Sequence, residues 1–328
     1  MKYAYFPGCS LESTAWDYDL STRAVCRQLG IELEEIPNWV CCGSTPAHST
    51  NASLAVALPV LNLQKAQAMG SPVLTACASC YSRLRTANHQ VRSETDQRER
   101  AERVTGKPYV GDVEVHHLLD VLVNRFGLDG IRRKVQRRLA GLRVACYYGC
   151  LLTRPPEVVA FDNAENPTCM DELVAAIGAE PVVWPYKTEC CGASLSITQS
   201  KVVGRLGSKL LLMARRAGAQ CIVVACPLCQ LNLDLRQSDA VKAGGDIPAT
   251  PVLYVTQLLG LALGIPAKDL GLDALSISAD SLLSEPSALP SGEGHGVRAA
   301  VQTQLPLTAV HFQREPGTVA ASNKGGAS

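Results

Sequence analysis

The sequence predicts an α/β protein of two homologous repeats, each a small parallel sheet flanked by helices, with a flexible C-terminal tail. Three observations predict it. Five cysteines occur twice at nearly the same spacing: Cys9, Cys41, Cys42, Cys77 and Cys80, then Cys150, Cys190, Cys191, Cys226 and Cys229. Short β-branched and aromatic runs alternate with helical stretches in both halves, the pattern of a parallel sheet covered on both faces. From about residue 270, Ser, Ala, Gly and Pro dominate without sustained periodicity.

The intervening gaps are 31, 34 and 2 residues in the first set and 39, 34 and 2 in the second. The flanks repeat too: Gly8 precedes Cys9 as Gly149 precedes Cys150, and Gly43 follows Cys42 as Gly192 follows Cys191. Val115, His116, His117, Leu118 and Leu119 align with Val255, Thr256, Gln257, Leu258 and Leu259. A period of roughly 140 residues exceeds solenoid units and fits two domains of ordinary size. The expected limits are residues 1–141 and 142–270, with the low-complexity tail over 271–328.

Taken in order, residues 3–6 form a strand that delivers the chain to Cys9. A helix carrying Leu20, Ala24, Val25 and Leu29 stops at Gly30. A strand over 31–36 leads to Cys41 and Cys42. The next helix carries Leu58, Leu61 and Ala68, with Pro59 close to its start and Gly70 at its end. A strand over 72–75 precedes Cys77, which opens a further helix, and mixed-charge residues 90–105 read as an exposed helix. The second repeat copies this with strands over 144–147, 181–184 and 221–225 and a stripe of Val202, Leu206, Leu210 and Met213. In such sheets ligands sit at the carboxyl ends of the strands, where all three cysteine stations of each repeat fall.

Composition narrows the function classes. Hydrophobic content of 47% and charged content of 19% describe a globular chain with ample core. A net charge of +1 gives no electrostatic case for nucleic-acid binding. The basic run over 132–138 reads as a solvated helix face, or as a docking patch for an acidic partner. No apolar run approaches the ~20 residues of a membrane span, and residues 258–265 are too few. A proposed ligand by residue 9 leaves no room for a cleavable leader, so the expectation is a cytoplasmic protein that meets any membrane through a partner. Thiols there stay reduced, which favours metal binding or catalysis over a disulfide framework.

Adjacent cysteines diverge along an extended backbone and can reach different irons of a cluster, whereas a CxxC pair opening a helix converges on one centre. Gly43 and Gly192 allow close backbone approach. Zinc takes four ligands, and a cubane [4Fe–4S] cluster takes four cysteines. Five thiols exceed both, so either one is not a ligand or the cluster is not an ordinary cube. Two zinc sites, one iron–sulfur site with one zinc site, and a dithiol at Cys77 and Cys80 are the alternatives. Cys26, Cys146, Cys169 and Cys221 read as buried small apolar residues. His48, His116, His117, Tyr81 and Lys187 lie near the stations and are candidate proton donors. The ferredoxin spacing C-x2-C-x2-C-x3-C-P is absent, so electrons must come from elsewhere.

The twice-repeated C-x(31–39)-CC-x34-CxxC pattern, with Gly after each cysteine pair, resembles the cysteine-rich CCG module of the heterodisulfide reductase B-subunit family over about residues 1–265. The resemblance implies a noncubane [4Fe–4S] cluster on each set of five cysteines, Cys9, Cys41, Cys42, Cys77 and Cys80 in one site and Cys150, Cys190, Cys191, Cys226 and Cys229 in the other. All ten would be catalytic through the clusters they hold, with a disulfide cleaved or formed between the two. It also implies two partners, the small ferredoxin-like protein and the flavin-containing protein of a heterodisulfide reductase complex. The alternative is an electron-transfer component of a CCG-domain dehydrogenase, of lactate, glycerol-3-phosphate or fumarate type, relaying electrons to a quinone or other acceptor.

Overall fold

Each repeat threads its chain through a four-stranded sheet in which every neighbouring pair is parallel. In the first, β1 (Lys2–Tyr5), β2 (Glu32–Glu35), β3 (Val73–Thr75) and β4 (Val115–His117) stand in the order β2-β1-β3-β4. In the second, β5 (Arg143–Tyr147), β6 (Glu180–Pro181), β7 (Cys221–Val224) and β8 (Val252–Tyr254) stand in the order β6-β5-β7-β8. The structure, a computed structural model, describes residues 1–44, 49–245 and 247–283. They lie within one compact unit, Met1–Ser287. The expected tail falls outside the described residues from 284 onward; before that, Leu272 and Leu275 are buried, and Asp234 accepts the N–H groups of Ser276 (2.7 Å) and Ile277 (3.3 Å).

The two-sheet α/β architecture agrees with the sequence reading, with informative differences in detail. The sequence pattern locates three strands per repeat, and each sheet has a fourth, β4 and β8. Both are only three residues long and run directly into a helix, so no alternation betrays them. The aligned segments at 115–119 and 255–259 are not structural equivalents. The first spans the whole of β4 and a helix start, whereas the second lies wholly inside the Val255–Ala262 helix. His117, closing β4, corresponds instead to Tyr254, closing β8.

The buried stripes also differ from the expected ones. The Trp16–Leu29 helix buries Tyr18, Thr22, Val25, Cys26 and Leu29 and leaves Leu20 36% exposed. The Ala52–Met69 helix buries Val56, Ala57, Val60, Leu63 and Ala66 and leaves Ala68 exposed. The Ser200–Arg216 helix turns Val203, Gly204, Gly207 and Leu210 inward and Val202 outward. Small residues decide that last rotation. A Cβ on Gly204 would stand 2.9 Å from the Asp239 carbonyl oxygen, so the glycine face is the one the neighbouring Gln237–Gly244 helix can approach.

Pro59 lies in the interior of its helix rather than near the start. Asn51 caps that helix, its side chain accepting from Ser53 and Leu54 N–H at 2.9 and 3.0 Å. Pro59 has no N–H to offer the Ala55 carbonyl four residues back. Arg83 supplies the missing donor, its Nη2 meeting Ala55 O at 3.0 Å.

The repeats interlock by exchanging helices. The Trp16–Leu29 helix of the first packs on the Val255–Ala262 helix of the second, and the Cys169–Ala176 helix returns the contact against the Leu128–Lys134 helix. Tyr18 stacks on Tyr254, Ser21 Oγ meets Thr256 Oγ1 at 2.7 Å, and Gln257 Nε2 donates to Asp17 Oδ2 at 3.1 Å. Tyr81 donates to Val159 O (3.0 Å), and Arg85 Nη2 to Val158 O (2.8 Å). Exposed Arg132, Arg133 and Lys134 of the basic run end the Leu128–Lys134 helix as a solvated face. Among the described residues no helix is long and apolar enough to cross a membrane.

Asp17 sits in this interlock 5% exposed, and burial raises its pKa from 3.8 to about 6 against the lowering pull of its hydrogen bonds. A raised carboxyl pKa means the folded chain binds more protons than the unfolded chain between those values. Stability present below pH 4 is therefore lost as pH rises through 6. Replacing Asp17 with Asn is expected to flatten that loss and to stabilise the fold at pH 7 by on the order of 2–3 kcal/mol. Urea denaturation across pH 4–8 checks this; an unchanged pH profile contradicts it.

Candidate metal centre

The strand order reverses on either side of β1, and likewise of β5, so a crevice opens between the carboxyl ends of β1 and β3 and of β5 and β7. Cys9 follows β1 and Cys77 follows β3; Cys150 follows β5 and Cys226 follows β7. Cys77 is the N-cap of the Ala78–Ser93 helix, Cys80 lies in its first turn, and the helix N-terminus favours their negative charge. Cys226 caps the Pro227–Leu233 helix in the same way. Each adjacent pair arrives on the loop after the edge strand, β2 or β6.

The sulfurs form a strip. Cys9 Sγ is 4.0 Å from Cys41 Sγ, Cys42 Sγ is 3.4 Å from Cys80 Sγ, and Cys191 Sγ is 3.6 Å from Cys229 Sγ. The thiols of Cys41 and Cys42, Cys77 and Cys80, Cys150 and Cys190, and Cys226 and Cys229 also act on one another's pKa. So do Cys77 and Cys226, which belong to different repeats. Each five-thiol set is thus gathered beside the carboxyl ends of its strands, and Cys77 and Cys226 are near enough for each to act on the other's pKa.

Adjacent cysteines do diverge. Cys42 and Cys191 are each 2% exposed, while Cys41 and Cys190 are open to solvent. Each set therefore has a buried trio and an outer pair, Cys9 with Cys41 and half-buried Cys150 with Cys190. Three sulfurs have lowered pKa values. Hydrogen bonds from Cys42 and Cys9, with backbone N–H groups of Gly43 and Ser44, bring Cys41 down to about 2. Cys150 with the N–H groups of Gly192 and Ala193 brings Cys190 to about 6. Cys229 and then Cys77 hold Cys226 well below the usual thiol range. Buried neighbours move the other way: Cys42 rises to about 12, and Cys77, Cys80 and Cys229 are raised, with a neighbouring thiol as the first cause in each case.

The glycines have two distinct tasks. Gly43 (φ 74°) and Gly192 (φ 80°) turn the chain so that their N–H groups meet Cys41 Sγ at 3.4 Å and Cys190 Sγ at 3.2 Å. Gly8 (φ 74°) and Gly149 (φ 68°) keep space clear: a Cβ there would stand 2.8 Å from Cys80 Sγ and 3.0 Å from Cys229 Sγ. Both sites are therefore cradles that a side chain would fill. The all-sulfur donor set suits iron–sulfur ligation. Among the described residues no three His, Cys, Asp or Glu side chains are set around one point as a single ion requires.

The candidate proton donors are engaged elsewhere. His116 lies between Asp120 (2.9 Å) and Glu114 (3.1 Å). His117 accepts the Leu119 N–H and donates Nε2–H to the Ala76 carbonyl, and burial lowers its pKa to about 4, leaving it neutral. Lys187 pairs with Asp171 at 2.9 Å and reaches Pro167 O at 3.1 Å, and Tyr81 is spent on Val159 O. His48 lies outside the described residues. Cys26, Cys146, Cys169 and Cys221 are all buried, and burial pushes Cys26 and Cys221 up to about 12.

One asymmetry escaped the sequence reading. Three residues past each CxxC pair, the first repeat has Arg83, whose pKa burial lowers while the charge of Cys42 pulls it back up. The second has Asn232, which donates to Cys191 O at 3.1 Å and to Cys191 Sγ at 3.8 Å. Superposing the two CxxC segments exposes the difference.

The same cysteine-bearing segments are recognised in known proteins. The cysteine-rich domain family, CCG, matches residues 3–85 and again 144–234. The chain is 36% identical over 282 residues to the membrane anchor of the 8-methylmenaquinol:fumarate reductase of Wolinella succinogenes, covering 86% of this chain and 99% of that one. It is 29% identical over 297 residues to the B subunit of the ferredoxin/F(420)H(2)-dependent CoB-CoM heterodisulfide reductase of Methanosarcina acetivorans, covering 89% and 99%. It is 30% identical over 283 residues to a protein of Archaeoglobus profundus that is itself similar to the heterodisulfide reductase B subunit, covering 83% and 94%. Among solved structures, a hypothetical protein from Helicobacter pylori shares the fold, with a TM-score of 0.67 at 13% identity. That likeness covers 85% of this chain and 52% of the other. The chain belongs to the cysteine-rich CCG domain family, carries two copies of the domain, and over most of its length resembles the B subunit of heterodisulfide reductase.

Proposed function

We propose that this chain is the iron–sulfur component of a heterodisulfide reductase-like complex, splitting or forming a disulfide between its two five-thiol sites. The observation that carries the reading is the duplicated five-thiol cradle, with Cys77 of one site and Cys226 of the other near enough to act on each other's pKa. Cys9, Cys41, Cys42, Cys77 and Cys80 would hold one noncubane [4Fe–4S] cluster, and Cys150, Cys190, Cys191, Cys226 and Cys229 the other. When bound, these groups supply electrons and irons that accept sulfur ligands. Reduction of a disulfide consumes two electrons and two protons and yields two thiols.

The protein's own part is positional. The buried trios anchor the inner edge of each site away from water, and the outer pairs leave a face for substrate to approach. Backbone N–H groups at Gly43, Ser44, Gly192 and Ala193 offset the charge of the outer thiolates. Electrons would come from a small ferredoxin-like partner, itself fed by a flavin-containing one. Ten unpaired thiols call for a reducing compartment, and we place the protein in the cytoplasm.

A second reading has one specific observation in its favour: the 36% identity to a component of a fumarate reductase. In that reading the chain relays electrons within a dehydrogenase complex to a quinone or other acceptor. That relative is a membrane anchor, so the complex would be membrane-attached, with no spanning helix among the described residues of this chain.

Anaerobically purified protein is expected to contain about eight irons per chain and to give iron–sulfur EPR signals. A zinc-only protein contradicts both readings, and iron at one site with zinc at the other contradicts cleavage between two clusters. The readings separate in mutants. Ser at Cys41, or separately at Cys190, is expected to abolish disulfide turnover, with the double replacement hardly worse than either single one, because groups acting as a unit are non-additive. Half activity in each single variant favours the relay.

A further inference from the structure

Tyr18 is fully buried, yet its hydroxyl has no hydrogen-bond partner. An unpaired buried hydroxyl costs stability, and such a group in a folded protein calls for a reason. Its position supplies one. The ring stacks on Tyr254, centroids 4.0 Å apart and planes 3° from parallel. Tyr254 in turn pairs with Val224, two residues before Cys226. Burial is the first cause that raises the phenol's pKa, and the charges of Cys226 and Cys77 follow. Cys226 follows β7, the strand that β8 pairs with, so the stack stands at the same end of the sheet as that sulfur.

Packing alone does not require the hydroxyl. The interlock makes the mirrored contact in the opposite direction, Phe161 of the second repeat against His117 at the end of β4, with centroids 6.3 Å apart. A phenyl ring serves there. Nor does the stack require it, since Tyr254 directs its own hydroxyl to Gln230 Oε1 at 3.4 Å. The phenol of Tyr18 is thus an unspent O–H donor, held by the stack at the carboxyl end of β8.

We propose that Tyr18 is a positioning residue whose O–H donates a hydrogen bond to sulfur of the iron–sulfur group held by the Cys226 set. It rests on the reading that the thiols hold such groups. A hydrogen bond to sulfur favours the more negative, reduced form, so Tyr18 raises the reduction potential of the centre it serves. Because Phe161 has no hydroxyl, the two sites are served unequally, and electrons settle preferentially on one.

The test uses the full chain loaded with iron and sulfide under anaerobic conditions. Wild-type protein that takes up no iron overturns the underlying functional reading. With iron bound, Tyr18→Phe is expected to keep the wild-type iron content and to shift one EPR-monitored midpoint to lower potential, leaving the other in place. Tyr254→Phe preserves the stack and is expected to move neither. Unchanged midpoints in Tyr18→Phe, or an equal shift in Tyr254→Phe, overturn the proposal. Should Tyr18→Phe fail to load, 3-fluorotyrosine at position 18 keeps the shape and strengthens the donor. It is expected to raise the same midpoint, and no shift overturns the proposal.

Discussion

Cys77 and Cys226, buried sulfurs from different repeats, are brought near each other by the packing of one repeat on the other, and the architecture is arranged around that constraint. Each of these cysteines caps a helix that leaves an inner strand of its sheet, β3 or β7. The strand order places the neighbouring crevice beside them. Helix exchange then fixes one sheet against the other. The Trp16–Leu29 helix lies on the second repeat, and Tyr81 and Arg85, on the Cys77 helix itself, grip the carbonyls of Val158 and Val159. Rotating either repeat would separate the sulfurs and break those hydrogen bonds together.

Crowding thiols has an electrostatic cost that shapes the local sequence. Sulfurs 3.4–4.0 Å apart cannot all ionise without a cation between them. The fold shifts their pKa values unevenly: those of Cys41, Cys190 and Cys226 are lowered, and those of their thiol neighbours are raised. Gly43 and Gly192 contribute N–H donors where positive φ is needed, and Gly8 and Gly149 contribute empty volume. These are different physical reasons for glycine within a few residues of each other. Both repeats use them at the same places.

Much of this was legible from spacing. Five cysteines at matched gaps marked out both thiol sets, and their fall after strands placed those sets at the strand ends. Divergence of the adjacent pairs followed from extended backbone geometry. What escaped had a common cause: it depends on contacts between segments far apart in sequence. The fourth strands are too short to show a period. The buried faces of the helices are set by glycine contacts, as at Gly204, and by the partner repeat, as at Tyr18, rather than by the largest apolar residues. Pro59 is tolerated mid-helix because Arg83, remote in sequence, takes the freed carbonyl. The polar residues near the stations drew notice by proximity in sequence, yet His116, His117, Tyr81 and Lys187 are committed to carbonyls and carboxylates in the fold.

The central claim is that the two thiol sets form one redox unit across the repeat boundary. Magnetic interaction between the two loaded centres tests it most directly, by EPR of the protein poised so that both are paramagnetic. The account predicts spin–spin coupling, seen as broadened or split signals that simplify when Cys190 and Cys191 are replaced and one centre is lost. Two signals that superpose without interaction, unchanged by removing the other centre, would contradict it.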